Sequence, residues 1–214
     1  QIKLIYNSSH GVNKDSYYQT DNFSASDTAD ITYFTGHVNS LNLHTSTLNR
    51  KAYSSEGRCL FVAAKYINGV EDYYPGSTAN TTEDQFNIPH YDFWLTAHYE
   101  EYLKLHKNLR LGIEVEAVNS WRNQFFGNYT STVLNAPIYQ PFPESRTHFF
   151  REYASHGYLG LGAKLVTPIR PNIDVRGEVY LFRPSVLIER TNDNTASYNY
   201  DVSLNNYRYQ ATAK

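Results

Sequence analysis

Residues 93–117 read FWLTAHYEEYLKLHKNLRLGIEVEA, and their alternation decides the fold class. Odd positions from Phe93 carry Leu95, Ala97, Tyr99, Glu101, Leu103 and Leu105; even positions carry Trp94, Thr96, His98, Glu100, Tyr102 and Lys104. After a break at His106 to Asn108, Leu109, Leu111, Ile113, Val115 and Ala117 alternate with Arg110, Gly112, Glu114 and Glu116. A period of two held over a dozen residues marks a strand rather than a helix. Two such runs around a short break predict a β-hairpin. If Leu105 faces Leu109, Tyr99 meets Val115 and Ala97 meets Ala117, apolar against apolar.

The same pattern recurs outward from this hairpin. Arg58 to Val70 places Leu60, Val62, Ala64 and Tyr66 on one face, after a turn at Ser54-Ser55-Glu56-Gly57. Tyr153 to Leu165 aligns Leu159, Leu161, Ala163 and Leu165, and turns at Pro168 to Asn172 into Ile173, Val175, Val179 and Leu181. Further strands are expected near Ile2 to Asn7, Thr32 to Arg50 and Asn206 to Thr212. These runs are about twice the usual length of a globular strand. Short turns alternate with long connections rich in Asn, Thr, Ser and Tyr: Tyr74 to Tyr91, Arg122 to Thr147 and Pro184 to Asn205. Long loops at one end and tight turns at the other suit an antiparallel up-and-down transmembrane β-barrel, or part of one. No linker splits residues 1–214, so a single barrel domain is expected.

Composition narrows the function classes. The 214 residues carry a formal charge of -2, which gives no basis for nucleic-acid binding. The one cysteine, Cys59, rules out an intrachain disulfide framework. The longest apolar run, Cys59 to Ala64, is far below the roughly 20 residues of a spanning helix. The first residues lack the charged and apolar regions of a signal peptide and begin at Gln1, as a mature chain or fragment would. Tyrosine is abundant, at 20 residues. With Phe93, Trp94, Trp121, Phe125 and Phe149, many tyrosines crowd strand ends and loops, as an interfacial aromatic girdle does. Alternation alone leaves two environments for the apolar face, a protein core or lipid. Strand length, the density of charge on the polar face and the aromatic strand ends favour lipid. Glu101, on the apolar face, argues the other way unless a bulge re-aims it or a subunit contact covers it.

In the hairpin register Glu100 lies opposite Glu114, and His98 opposite Glu116. Paired carboxylates are the apparatus of glycoside hydrolysis, but on the wet face of a barrel they are expected to pair with Lys and Arg of adjacent strands. His10, His37, His44, His90, His98, His106, His148 and His156 show no metal-ligand spacing. Cys59 begins an apolar strand with no histidine near it in sequence, and reads as an inert thiol. There is no GxSxG elbow or phosphate loop; Ser77 and Ser155, beside Gly76 and Gly157, lack the elbow's flanking glycines. Asn-x-Ser/Thr triplets begin at Asn7, Asn22, Asn80 and Asn128. No catalytic, cofactor-binding or metal-binding residue is assigned.

Val38 to Asn42, the turn Thr47 to Gly57 (TLNRKAYSSEG), Lys65 to Ser77, Pro89 to Phe93, Ala97 to Tyr102, Asn128 to Thr130 with Ala136-Pro137, and Arg176 to Pro184 together form a pattern. It resembles the C-terminal outer-membrane barrel of Bacteroidetes-type patatin-like phospholipases, related to the Omp85 (BamA-like) barrel superfamily, over roughly Thr32 to Arg190. The resemblance implies a bacterial outer-membrane anchor or export barrel, inserted by the barrel-assembly machinery, with a Ser-Asp dyad on a preceding domain. No position here matches that dyad, and the C-terminal end Gln210-Ala211-Thr212-Ala213-Lys214 lacks the family's terminal aromatic. Beside the larger barrels of that superfamily the chain reads as a fragment of a longer barrel. Its expected partners are the lipid bilayer and the assembly machinery, with a homodimer as a further arrangement. Two rival readings are a small complete outer-membrane barrel with a binding or structural role, and a secreted soluble β-sandwich or barrel that binds glycans through aromatic loops.

Overall fold

A computed structural model of the chain describes residues 2–20, 22–50, 52–79, 85–147, 149–170 and 173–213. The fold is all-β. Strands β1 (Ile2–Tyr17), β2 (Asp30–Ser46), β3 (Arg58–Tyr74), β4 (Phe86–His106), β5 (Leu109–Arg122), β6 (Gly157–Arg170) and β7 (Ile173–Pro184) pair antiparallel in chain order. After a separate hairpin of β8 (Leu187–Arg190) and β9 (Ala196–Asn199), β10 (Arg208–Ala213) joins β7 and completes an eight-stranded sheet. A short helix, α1 (Tyr129–Leu134), lies in the β5–β6 connection, followed by 3-10 turns at Pro143–Thr147 and Arg151–Tyr153.

The central hairpin keeps the register its alternation predicts. Tyr99 pairs with Val115, Ala97 with Ala117, Glu100 with Glu114 and His98 with Glu116. Only the tip departs: the register shifts between Lys104 and His106, so His106 rather than Leu105 faces Leu109. Leu105 is the extra residue of a bulge, which shortens the turn to Lys107-Asn108 and sharpens the local twist. Several strands run further than their patterns suggest. β4 begins at Phe86, before Pro89. A proline in a strand run reads as a break because it cannot donate to the ladder; here Val70 still pairs with Pro89 and Tyr73 with Phe86. The strand expected from Tyr153 starts instead at Gly157, because Arg151–Tyr153 form a 3-10 turn. Part of the expected turn at Pro168 to Asn172 lies outside the described residues, as does His148.

The sheet is not closed into a barrel: among the described residues, β1 pairs with β2 alone and β10 with β7 alone. It is nevertheless curled. The β2–β3 turn reaches across one face to β7, where Arg50 meets Asp174 at 3.0 Å and Arg176 donates to the Tyr53 carbonyl at 2.7 Å. At the other end Arg190 donates to the Gln19 carbonyl, joining the connections that leave β1 and β7. The β2–β3 turn depends on Gly57 at φ 90°, where a Cβ would stand 2.1 Å from the Thr47 carbonyl oxygen. No other residue type fits that site without moving the backbone.

The core belongs to the face that the turn and the β5–β6 connection cover. Val118, Tyr158, Tyr180 and Phe182 of the sheet enclose Tyr139 and Phe142 of the connection. Tyr139 lies on Gly160, where an added Cβ would come within 2.2 Å of its ring, and stacks on Phe182 at 5.8 Å. Tyr102 lies over Gly112 and Tyr180 over Gly162 in the same way. Part of the tyrosine excess therefore serves a purpose other than an interface: rings cover glycines on a curved sheet, as aromatic rescue does.

Candidate functional site

The two faces of the sheet have exchanged the usual roles of inside and outside. On the covered face Glu114, Lys164, Arg176 and Glu178 are buried. On the open face Leu95, Leu103, Leu161, Leu165, Val175 and Val179 are exposed, Leu165 by 48% and Val179 by 55%. Along β6 the alternation is explicit: Tyr158, Gly160, Gly162, Lys164 and Val166 are buried, while Leu161, Ala163 and Leu165 are exposed. A water-soluble sheet protein buries the aliphatic set and exposes the charges.

The buried charges form a network through strands β4 to β7. Lys164 Nζ sits 2.6 Å from Glu100 and 2.6 Å from Glu114, so the opposed carboxylates share one ammonium. Tyr102 donates to Glu100 at 2.7 Å, and Tyr158 to Glu116 at 2.5 Å. His98 Nδ1 lies 3.3 Å from Glu116. Arg176 bridges Asp174 at 3.1 Å and Glu178 at 3.2 Å. Such pairing satisfies charges that would otherwise cost several kcal/mol each to bury. The arrangement is that of a charge ladder, in which one ammonium bridges the Glu100–Glu114 pair. A cavity of about 320 Å³ remains over this ladder, between it and Phe142, with Tyr53 and Ser54 of the β2–β3 turn at its rim. The two covers touch each other, since Tyr53 donates to Glu144.

A second set of buried acids, not singled out by the sequence reading, ties the long connections down. Asp30 accepts from Gln19 at 2.5 Å, Tyr73 at 2.6 Å and the Gly76 amide at 2.8 Å. Glu71 pairs with His90 at 2.8 Å and accepts from the Gly127 amide at 3.0 Å. Asp92 holds Arg122 at 3.0 Å and accepts from Trp94 at 2.5 Å and Ser120 at 2.7 Å. All three are acidic residues at covered-face positions near the loop ends of strands, a signal present in the alternation of β2, β3 and β4.

Ser120, His156 and Asp92 stand close together but not in the order of a proton relay. The Ser120 hydroxyl donates to Asp92 and lies 3.4 Å from His156 Nδ1, so the carboxylate orients the serine and not the imidazole. Burial, with the nearby Arg122 charge, pushes the His156 pKa down to about 4. Burial also raises the Tyr139 phenol, with Glu114 and Glu116 adding to the effect.

The remaining candidates fall into structural roles. Cys59 Sγ lies 3.5 Å from His44 Nε2 on the neighbouring strand, a proximity that sequence distance concealed. His10 and His37 face each other across β1 and β2 with ring centroids 4.3 Å apart. No group of three metal-ligating residues occurs among the described residues. Asn128 is buried and caps α1 by accepting from the Ser131 amide at 2.8 Å; Asn7 lies on β1, Asn22 in the β1–β2 connection, and Asn80 outside the described residues. Ser155 donates to the Gly157 carbonyl at 2.6 Å and is fully buried. Glu101 stays on the open face, paired across the ladder with Arg58 and accepting from Tyr99 at 2.6 Å. No helix among the described residues is long and apolar enough to cross a membrane. No known protein family, curated protein or solved structure matches the chain.

Proposed function

We propose that this chain is wall of an outer-membrane β-barrel, with its open face against lipid and its covered face toward a plugged lumen. The observation that carries the reading is the inverted burial: ion pairs are enclosed while leucine, isoleucine and valine face outward. Dimensions agree. From Phe93 to Leu105 a strand rising about 3.3 Å per residue and tilted by about 40° covers roughly 30 Å, the thickness of a bilayer's hydrocarbon core. Tyr66, Phe93 and Trp121 lie in one row across β3, β4 and β5 on the open face, in the manner of a girdle. Glu101 sits toward the turn end of this band with Arg58 opposite, where charge costs less than at the midplane.

In this reading the chain anchors, and the patatin-type resemblance would make it the membrane part of a lipid acyl hydrolase whose reacting groups lie elsewhere. The bridged Glu100–Glu114 pair supports a non-hydrolytic role for this segment. The barrel-assembly machinery would be the partner that inserts it. A free-standing barrel that binds or seals is the second reading; two ordered covers over the wet face, joined at Tyr53 and Glu144, favour it. Extraction tests the membrane assignment directly. The chain should partition with outer-membrane vesicles and stay folded only in detergent or lipid. A folded, monomeric chain in the aqueous fraction without detergent would refute it.

A further inference from the structure

A second cavity, of about 220 Å³, opens between the loop-side ends of β2 to β5 and the β5–β6 connection, apart from the charge ladder. Its lining is mixed, with Phe34, Ile67 and Leu134 beside the charged Lys65, Asp92 and Arg122. Its polar groups are unevenly matched. Arg122 is held by Asp92, but its Nε has no hydrogen-bond partner among the described residues although the side chain is 3% exposed. His90 Nε2 bonds Glu71, and its buried Nδ1 also lacks a partner among the described residues. Asp92 is already occupied by Arg122, Trp94 and Ser120. Lys65 is the surplus cation. Its Nζ lies 3.3 Å from the centre of the Trp94 ring, and no carboxylate among the described residues comes within ion-pair distance. The ladder's Lys164 and Arg176, by contrast, each hold two carboxylates.

We infer that this cavity binds a small organic carboxylate, its anionic head on Lys65 beside Arg122 and its apolar body against Ile67, Leu134 and Ala136. A half-enclosed ammonium against an aromatic face is completed by an anion, and a buried donor left unpaired, as Arg122 Nε is, is a group a ligand satisfies. The volume falls below the roughly 300 Å³ at which drug-sized pockets begin, so the body is no larger than one ring or a short alkyl chain. The inference stands on the cavity alone and holds whichever medium meets the open face.

Trp94 is a built-in reporter. In the folded full chain carrying Trp121→Phe, in detergent or in plain buffer according to which keeps it folded, Trp94 is the one remaining tryptophan, and benzoate should change its emission saturably in the millimolar range or below. Benzamide and benzylammonium, of the same shape without the negative charge, should not. Lys65→Met should weaken benzoate binding at least tenfold while leaving the far-UV spectrum and the unfolding midpoint of the folded form close to those of the parent. If Lys65→Met misfolds, the charge discrimination by the parent protein decides alone. An equal response to benzamide, no saturation below about 10 mM benzoate, or unchanged affinity in folded Lys65→Met would each overturn the inference.

Discussion

Leu161 and Lys164 lie on the same strand, β6, and point to opposite faces. Leu161 is 38% exposed on the open face, flanked by Val115 on β5 and Leu181 on β7, in the row of Tyr99 midway along the band from Phe93 to Leu105. In water, Leu161→Arg would give up the leucine's contacts, and the arginine stem would recover much of that by lying along the same neighbours. The expected cost there is about 0.5–1 kcal/mol. In a bilayer the same guanidinium must snorkel out of hydrocarbon, at about 2–4 kcal/mol near the midplane of a barrel wall. The predicted loss in lipid is therefore about 3 kcal/mol, several times the aqueous value. Urea titration in phospholipid vesicles, followed by tryptophan emission from Trp94 and Trp121, measures it. A change below about 1 kcal/mol in vesicles would refute the lipid-facing assignment, because a guanidinium near the midplane of a barrel wall costs more than that.

Three further perturbations probe the covered face. Lys164→Met leaves Glu100 and Glu114 without their shared ammonium, both formerly at 2.6 Å, and should cost about 3–5 kcal/mol in the same titration. Adding Glu114→Gln should return part of that loss, and strict additivity would contradict the shared-ammonium geometry. Gly160→Ala drives a Cβ into the Tyr139 ring and should lift the β5–β6 connection, at about 1–3 kcal/mol. Limited proteolysis within Pro137 to Thr147 would report it, and unchanged resistance would contradict the packing of Tyr139 on Gly160. His156 is neutral when folded until about pH 4, whereas the unfolded imidazole protonates near 6.5. Below pH 6.5 the unfolded state binds the extra proton, so stability falls as pH drops from 6.5 to 4, by about 3 kcal/mol at most. His156→Gln should flatten that part of the curve; an unchanged slope would show that other groups carry it.

Strand existence and register were legible because a period of two is a local property of the chain. Tyr99–Val115 and His98–Glu116 follow from counting alone. The bulge at Leu105 was not legible, since it is set by how the twisted hairpin closes and not by residue type. Glu100, Glu114, His98 and Glu116 were read as neighbours; the missing member was Lys164, 64 residues from Glu100 in the chain. Placing it required strand order as well as register. The buried acids Asp30, Glu71 and Asp92 each lie just beyond the strand runs that the alternation marks, with Pro89 masking the start of β4. The cover formed by Tyr139 and Phe142 was beyond reach for a similar reason. It depends on glycines in β6, and a glycine in a strand announces a close approach without saying what approaches.

The unpaired side of β1 places a condition on how such a wall could reach a membrane. Every second residue of that 16-residue strand turns its amide and carbonyl away from β2, leaving about eight of each without a ladder. In hydrocarbon each such group costs several kcal/mol, so the bare edge would outweigh the gain from burying the neighbouring Ile2, Leu4 and Tyr6. Pairing along β1 must therefore precede or accompany insertion. In the membrane reading, the form that resides in lipid is the one in which this seam is sealed.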